Sequence, residues 1–172
     1  MNKALIISGN LAQDHDFKYP YYRLLEEELE IDVCMLEGKP GKGFLGTTLP
    51  PNKEQSVKSI EQLNIDDYKV LVLPGGVKAM EKVRQNKKII KFISDFNDKK
   101  KIIACICSGA QLLISAKVVK GRKIAGYYSM KDDIINAGAI YTDKPAVIDD
   151  NIITTAHYKD MGAWMREVIK KI

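Results

Sequence analysis

No stretch of this sequence is apolar over the roughly 18 residues that a membrane-spanning helix requires. The amino-terminal segment MNKALIISG also lacks the longer apolar core and small-residue cleavage site of a signal peptide. We therefore predict a cytoplasmic protein with no membrane partner. Its 172 residues, 45% of them hydrophobic, are enough for a sizeable core, and one domain over residues 1–172 is the economical interpretation.

Cysteine and histidine are scarce, with three and two residues respectively. The cysteines, at positions 34, 105 and 107, are odd in number, and none has the spacing of a zinc site. Neither a disulfide framework nor a structural metal is indicated, and we expect no cofactor. The net charge is +5, but the lysines are scattered among 22 acidic residues, which favours a solvated surface over nucleic-acid binding.

Strand-like apolar runs recur along the chain and alternate with helical patterns. The runs cover residues 4–7, 31–36, 70–73 and 102–106. This alternation predicts a parallel sheet covered by helices. The first helical pattern places Tyr21, Leu24, Leu25 and Leu29 on one face, and the second places Ile89, Ile90, Ile93 and Phe96 on another.

Two further segments have recognisable patterns. Residues 38–51, GKPGKGFLGTTLPP, are rich in Gly and Pro and predict irregular chain or short edge strands on one side of the sheet. The segment DKPAVIDDNIITTA predicts a hairpin that turns at residues 149–151, and KDMGAWMREVIKKI predicts a closing amphipathic helix. No internal repeat or low-complexity segment is found.

The stretch KKIIACICSGAQLLISA predicts a buried strand that turns abruptly into a helix at Cys107. Ligands of parallel α/β proteins bind beyond the carboxyl ends of strands, and a helix amino terminus there favours thiolate over thiol. Cys107 is thus a candidate nucleophile, although a small buried hydrophobe is the common alternative. Cys105, within the strand, and Cys34 are expected to be packed inside.

A nucleophile that attacks a carbonyl needs donors for the developing oxyanion. Backbone N–H groups of Gly75 and Gly76, in VLVLPGG at the end of another strand, are well placed to supply them. An ordinary turn is an equally good explanation of the paired glycines.

Several motifs in sequence order together resemble a known family. They are ALIISGN, DHDFKYPYYRL, VLVLPGG, ACICSGAQLLISA, KGRKIAGYYSMKDDIINAGA and AWMRE. These motifs closely resemble the PfpI family of intracellular proteases, which includes the Parkinsonism-linked deglycase and belongs to the class I glutamine amidotransferase-like superfamily. The resemblance implies a flavodoxin-like three-layer α/β/α sandwich with a mostly parallel central sheet and a strand-to-helix nucleophile elbow.

The resemblance also implies roles for particular residues. Cys107 matches the reactive cysteine, Asp16 matches an acid that hydrogen-bonds its sulfur, and the oxyanion donors match Gly75 or Gly76 and the backbone of Ser108. Asp16 is one methylene shorter than the usual Glu, so the sequence does not decide whether its carboxyl reaches the sulfur of Cys107. Members are usually dimers or larger, so a homodimer or higher homo-oligomer is implied.

Ser108 stands where protease-type members carry a histidine, whose acidic partner would match Glu81. Without that histidine Glu81 is explained equally by a solvated helix position. His15 and His157 lie in loops near strand ends and are candidates for proton transfer, with a surface role as the alternative. Tyr127 matches a tyrosine near the family's site, although a packed aromatic explains it as well.

These observations favour a cysteine enzyme that attacks an electrophilic carbonyl. The substrate is a small molecule, an α-oxoaldehyde or its adduct, or else a peptide or amide; the missing histidine favours the small molecule. The alternatives are a thiol redox sensor or holdase without turnover and a binding module.

Overall fold

Ten strands and six α-helices alternate along residues 2–172, which are the residues that the computed structural model describes. In chain order the elements are β1 (Lys3–Ser8), α1 (Asp14–Glu26), β2 (Glu30–Met35), β3 (Gly41–Lys42), β4 (Thr48–Leu49), β5 (Tyr68–Leu73), α2 (Val77–Val83), α3 (Lys87–Asp98), β6 (Ile102–Ile106), α4 (Ala110–Ser115), β7 (Lys123–Ile124), α5 (Lys131–Asn136), β8 (Ile140–Tyr141), β9 (Val147–Asp149), β10 (Ile152–Thr155) and α6 (Met161–Lys171).

The central sheet has six strands in the order β2-β1-β5-β6-β10-β9. All neighbours pair in parallel except β9, which runs antiparallel to β10. Helices α1 and α6 pack together on one face, and α2, α3 and α4 pack together on the other. Residues 4–7, in β1, are fully buried because helices cover both faces of the sheet. The predicted flavodoxin-like three-layer sandwich is therefore confirmed.

The chain leaves β1 toward β2 on one side and later returns to place β5 on the other side. This reversal is a topological switch point, where loops from neighbouring strands diverge and leave a crevice at the carboxyl edge. The loops that follow β1, β5, β6 and β10 all open at this edge.

The predicted buried faces of the helices are largely confirmed. In α3, Ile89, Ile93 and Phe96 are buried and Ile90 is half-buried. The prediction for Leu25 was wrong, since its side chain is 44% exposed. Leu24 takes the inward position of α1, and the next residue along a helix is rotated by about 100° and faces away.

Residues 38–51 form a separate two-stranded hairpin of β3 and β4 and add no strand to the central sheet. Its tip is bound to Asp14, at the start of α1, whose carboxylate accepts hydrogen bonds from the N–H groups of Leu45 (2.6 Å) and Thr47 (3.0 Å). These charge-assisted bonds hold the hairpin beside the carboxyl end of β1, with Phe44 directed toward the crevice.

The carboxyl-terminal part follows the prediction, with a β9–β10 hairpin and the helix α6. Trp164 of α6 is fully buried, and its indole N–H donates to the carbonyl of Ile153 (3.0 Å). The short parallel pair β7 and β8 was not anticipated. Across residues 2–172, every helix falls short of the length and apolarity that a membrane crossing demands.

Candidate active site

Cys107 occupies a sharp turn between β6 and α4. Its φ is +60°, a left-handed conformation that is strained for a residue with a side chain, and residues 107–109 form a single 3₁₀ turn. Gly109 is required by close packing, because a Cβ there would lie 2.6 Å from the carbonyl oxygen of Leu73. The predicted elbow is therefore present. Cys107 is half-buried, whereas Cys105 and Cys34 are each 1% exposed, as expected for packed residues.

Asp16, in the first turn of α1, reaches the elbow despite its short side chain. It is fully buried, and its carboxyl interacts with the thiol of Cys107. The two groups converge beside Gly75, where a Cβ would lie 2.5 Å from Asp16 Oδ2 and 3.0 Å from Cys107 Sγ. A side chain at position 75 would thus separate the acid from the thiol.

Burial dominates the protonation of this pair. It raises the pKa of Asp16 to about 7, against the opposing hydrogen bonds from Gly75 and Cys107. Burial and the neighbouring Asp16 charge raise the pKa of Cys107 to about 12, although hydrogen bonds from Ser108 and Gly76 oppose this. The expectation of a thiolate favoured by the helix terminus is not met, because desolvation outweighs the N–H donors. At neutral pH the site holds a thiol beside a carboxyl that is about half ionised.

The two glycines of the LPGG turn have different roles. The N–H of Gly75 donates to Asp16 Oδ2 (3.2 Å), so this donor is occupied. Gly76 has a φ of +101°, and its N–H and that of Ser108 are near enough to the Cys107 thiol to lower its pKa. Gly76 and Ser108 are therefore the pair of backbone donors available beside the nucleophile, and Gly75 supplies space.

Unpaired polar atoms are concentrated around this elbow. Five buried side-chain atoms have no hydrogen-bond partner among the described residues: Ser8 Oγ, Gln13 Oε1, Asp16 Oδ1, Ser108 Oγ and Thr155 Oγ1. All five belong to the carboxyl ends of β1, β6 and β10 or to the segments that follow β1 and β6. Unpaired buried polar groups are costly in a folded core, so their concentration here is typical of a site that binds polar groups of a ligand.

A cleft of about 900 Å³ opens above Cys107. Its walls are mostly apolar and aromatic, with four charged side chains. The main lining residues are Leu11, Phe44, Val77, Lys78, Glu81, Arg84, Cys107, Gln111, Ile114, Tyr127, Met130, Asp133, His157 and Tyr158. Glu81 is exposed at this wall and takes part in none of the ion pairs within residues 2–172.

The histidines differ in their relation to the cleft. His157 lines it and packs against Tyr158 with ring centroids 4.0 Å apart, whereas His15 is exposed, contacts Tyr158 from outside and does not line the cleft. Nδ1 of His157 accepts from the N–H of Lys159 (3.2 Å), so its neutral form carries the proton on Nε2.

Tyr127 is 39% exposed at the rim of the cleft. Its N–H donates to the carbonyl of Cys107 (3.1 Å). Tyr127 therefore supports the elbow through its backbone, while its ring lies at the rim and packs against the rings of Tyr128 (centroids 5.6 Å apart) and His157 (6.2 Å). A role at the site and a packed aromatic both stay predictions.

Sequence reasoning missed Arg84, which ends α2 and lines the cleft. Its Nε donates to Ser115 Oγ (2.9 Å) and its Nη1 to Gln111 Oε1 (3.3 Å). Gln111 and Ser115 lie four and eight positions after Cys107, a spacing that places them on one face of a helix. This spacing was the signal that could have identified the wall of the cleft opposite Arg84. Within the described residues, no group of three or more His, Cys, Asp or Glu side chains could hold a metal ion.

Comparisons with known proteins identify the family of this chain. The model of the DJ-1/PfpI family matches residues 2–171. Deglycase PfpI of Pyrococcus furiosus is 38% identical over 168 residues, which cover 98% of each chain. Putative cysteine protease YraA of Bacillus subtilis is 32% identical over 155 residues, 90% of each chain.

A solved two-domain protein of Anabaena variabilis, with DJ-1/ThiJ/PfpI-like and ferritin-like domains, superposes with a TM-score of 0.92 at 25% identity. The match covers 99% of this chain and 48% of that one. The fold, the elbow and the full-length family match lead to one assignment. The chain belongs to the DJ-1/PfpI family.

Proposed function

We propose that the protein is a cysteine-dependent enzyme in which Cys107 attacks an electrophilic carbonyl. The observation that carries this proposal is the convergence of Asp16 on the Cys107 thiol, with the N–H groups of Gly76 and Ser108 near the same thiol. These are a base, a nucleophile and two oxyanion donors, which is the minimum set for addition to a carbonyl.

The protonation of the resting site fits a base-assisted addition. A carboxyl with a pKa of about 7 is a stronger base than an ordinary aspartate, and its ionised fraction at neutral pH can accept the thiol proton. As the S–H proton moves to Asp16, the sulfur forms a bond to the carbonyl carbon and the π electrons move to oxygen. Gly76 and Ser108 then donate to that oxyanion, and Asp16 returns the proton to give a neutral hemithioacetal.

We favour an α-oxoaldehyde or its adduct as the substrate. The addition step with such a carbonyl needs no proton for a departing amine, which matters because Ser108 stands at the position of the protease-type histidine. The deglycase name of a 38% identical relative supports this choice. The C1 proton of the hemithioacetal then moves to C2 through an enediol, which oxidises C1, reduces C2 and gives the Cys107 thioester of a hydroxy acid. Water hydrolyses this thioester, releases the hydroxy acid and restores the thiol.

Hydrolysis of a peptide or amide is the second candidate. The cleft of about 900 Å³ is large enough for a peptide, and His157 in its wall could protonate a leaving amine. The name of YraA supports this candidate. A redox sensor is less well supported, because a sensor cysteine requires thiolate at rest and burial raises the pKa of Cys107.

The first experiment compares methylglyoxal consumption with hydrolysis of a fluorogenic peptide. Wild type, Cys107→Ser and the matched control Cys105→Ser are assayed at equal concentration. We expect one substrate to be turned over, with activity lost in Cys107→Ser and mostly retained in Cys105→Ser. Equal losses in the two variants would contradict the assignment of the nucleophile, and no turnover of either substrate would favour the sensor or binding roles.

Two accompanying proposals concern assembly and location. The family resemblance implies a homo-oligomer, and the exposed apolar side chains of Phe44 and Val77 beside the cleft support this. Light scattering after size-exclusion chromatography tests the oligomeric state.

The proposed location is the cytoplasm. All three cysteines are free, which supports a reducing, cytoplasmic location.

A further inference from the structure

We propose that Arg84 is a binding residue for a substrate carboxylate, so that the site prefers carbonyl compounds that carry a carboxylate remote from the reacting carbon. This inference rests on one part of the proposed function, namely that ligands react at Cys107. Its own evidence is the position, bonding and charge of the guanidinium.

Arg84 lines the cleft, and its guanidinium keeps unused donors. The side chain is half-buried, and two of its N–H groups are taken by Ser115 and Gln111. Arginine has five N–H donors in a planar fork. The two neutral partners orient this fork and leave further donors and the full positive charge for a ligand.

No carboxylate of the described residues forms an ion pair with Arg84. The ion pairs within residues 2–172 do not include Arg84 at separations up to 4.0 Å. Glu81 and Asp133 also line the cleft, together with Lys78, so the charges of the whole cleft balance. A balanced cleft with one oriented guanidinium fits a single carboxylate, which binds Arg in a bidentate fork, better than a doubly charged phosphate.

The distance to the nucleophile defines the ligand. Arg84 contacts residues four and eight positions after Cys107. Residues 107–109 rise about 2.0 Å per residue and α4 about 1.5 Å, so these positions lie about 7 and 13 Å along the axis from the elbow. This axial offset exceeds the length of a three-carbon oxoaldehyde. An adduct or an aldehyde with its carboxylate several bonds away can react at Cys107 while Arg84 holds its anionic end.

A test of this role can use the thiol alone, without turnover. Cys107 is alkylated with N-phenyl iodoacetamide, which is neutral, or with 4-(iodoacetamido)benzoate, whose carboxylate is about 8 Å from the reacting carbon. The sulfur displaces iodide in both cases. Intact mass gives the two rate constants, and peptide mapping confirms Cys107, since Cys34 and Cys105 are buried.

We expect the carboxylate reagent to react about tenfold faster with wild type, the size of a charge-assisted hydrogen bond in a half-buried site. Arg84→Gln should reduce this ratio to about one, and the ratio cancels any change that the substitution makes to the intrinsic reactivity of Cys107. Arg166→Gln removes an exposed charge elsewhere and should keep the wild-type ratio. Lys78→Gln removes the other positive charge of the cleft and should keep most of the wild-type ratio of the two rate constants. A wild-type ratio near one, or equal losses in Lys78→Gln and Arg84→Gln, would overturn the assignment.

A second measurement uses wild type only and covers the case in which Arg84→Gln folds poorly. Benzoate should slow alkylation by the neutral reagent more strongly than benzamide does, and added salt should weaken this protection. Equal protection by the two compounds would refute a carboxylate site. Neither alkylation measurement involves catalysis. Failure of the methylglyoxal and peptide assays would therefore refute the proposed function, whereas the alkylation rates alone decide whether Arg84 binds a carboxylate.

Discussion

Asp16 gives a sharp test of the energetics, because a buried carboxyl with a raised pKa makes folding less favourable at neutral pH. The pKa rises from 3.8 to about 7 in the folded protein. The native state therefore holds the proton more tightly than the unfolded state. The associated stability is fully present below about pH 4 and is lost as the pH rises through 7. The difference corresponds to about 4 kcal/mol at about 1.36 kcal/mol per unit of pKa.

The perturbation is Asp16→Asn, which keeps an acceptor for the Gly75 N–H and cannot ionise. Unfolding by urea is followed for wild type and variant from pH 4 to pH 8. We expect the two free energies of unfolding to be similar at pH 4 and the variant to gain up to about 4 kcal/mol by pH 8. Groups common to both proteins cancel in this difference.

Asp14→Asn is the matched control, two residues away in the same helical turn. Asp14 has a lowered pKa, because hydrogen bonds from Thr47 and Leu45 outweigh its burial. Its stabilisation is present above the unfolded pKa and is lost as the pH falls, so the variant should be destabilised at pH 8 and converge with wild type in acid. A stability difference for Asp16→Asn that is flat with pH, or that has the sign of the Asp14 control, would refute the reasoning.

Two further predictions concern the same site. Gly75→Ala would bring a Cβ within 2.6 Å of Cys107 Cβ, so we expect lower thermal stability and loss of turnover, whereas Gly162→Ala, with its nearest neighbour at 4.0 Å, should melt like wild type. If Asp16 is the base, kcat/KM should rise as the pH increases through about 7, and this rise should be absent in Asp16→Asn. An activity that is flat across that range in wild type would exclude this role.

The fold could be predicted because it depends on local patterns. Buried runs such as residues 102–106 identify parallel strands, and the cysteine that follows such a run marks the elbow. The roles of the site residues were harder to predict from the sequence. The Gly75 N–H is occupied because it donates to Asp16, 59 positions away, and Asp16 reaches Cys107 from a segment still farther off in the sequence.

Other features depend on partners that are distant in the sequence. Arg84 acquires its orientation from partners 27 and 31 positions away, and the hairpin of residues 38–51 is fixed by Asp14 across a similar separation. The direction of the Cys107 pKa was wrong for a related reason. Sequence position indicates the helix terminus that favours thiolate, whereas the burial that opposes it depends on the whole tertiary structure.

The sheet order also has a consequence for how the site comes into being. Asp16, Gly75, Cys107 and His157 follow four different strands, and each pairing of those strands joins distant parts of the chain. A fragment that lacks β1, β5 or β6 cannot bring Asp16, Gly75 and Cys107 together. Reactivity of Cys107 toward a bulky anionic reagent therefore reports the final long-range steps of folding, and it could be followed during refolding as a chemical clock for completion of the sheet.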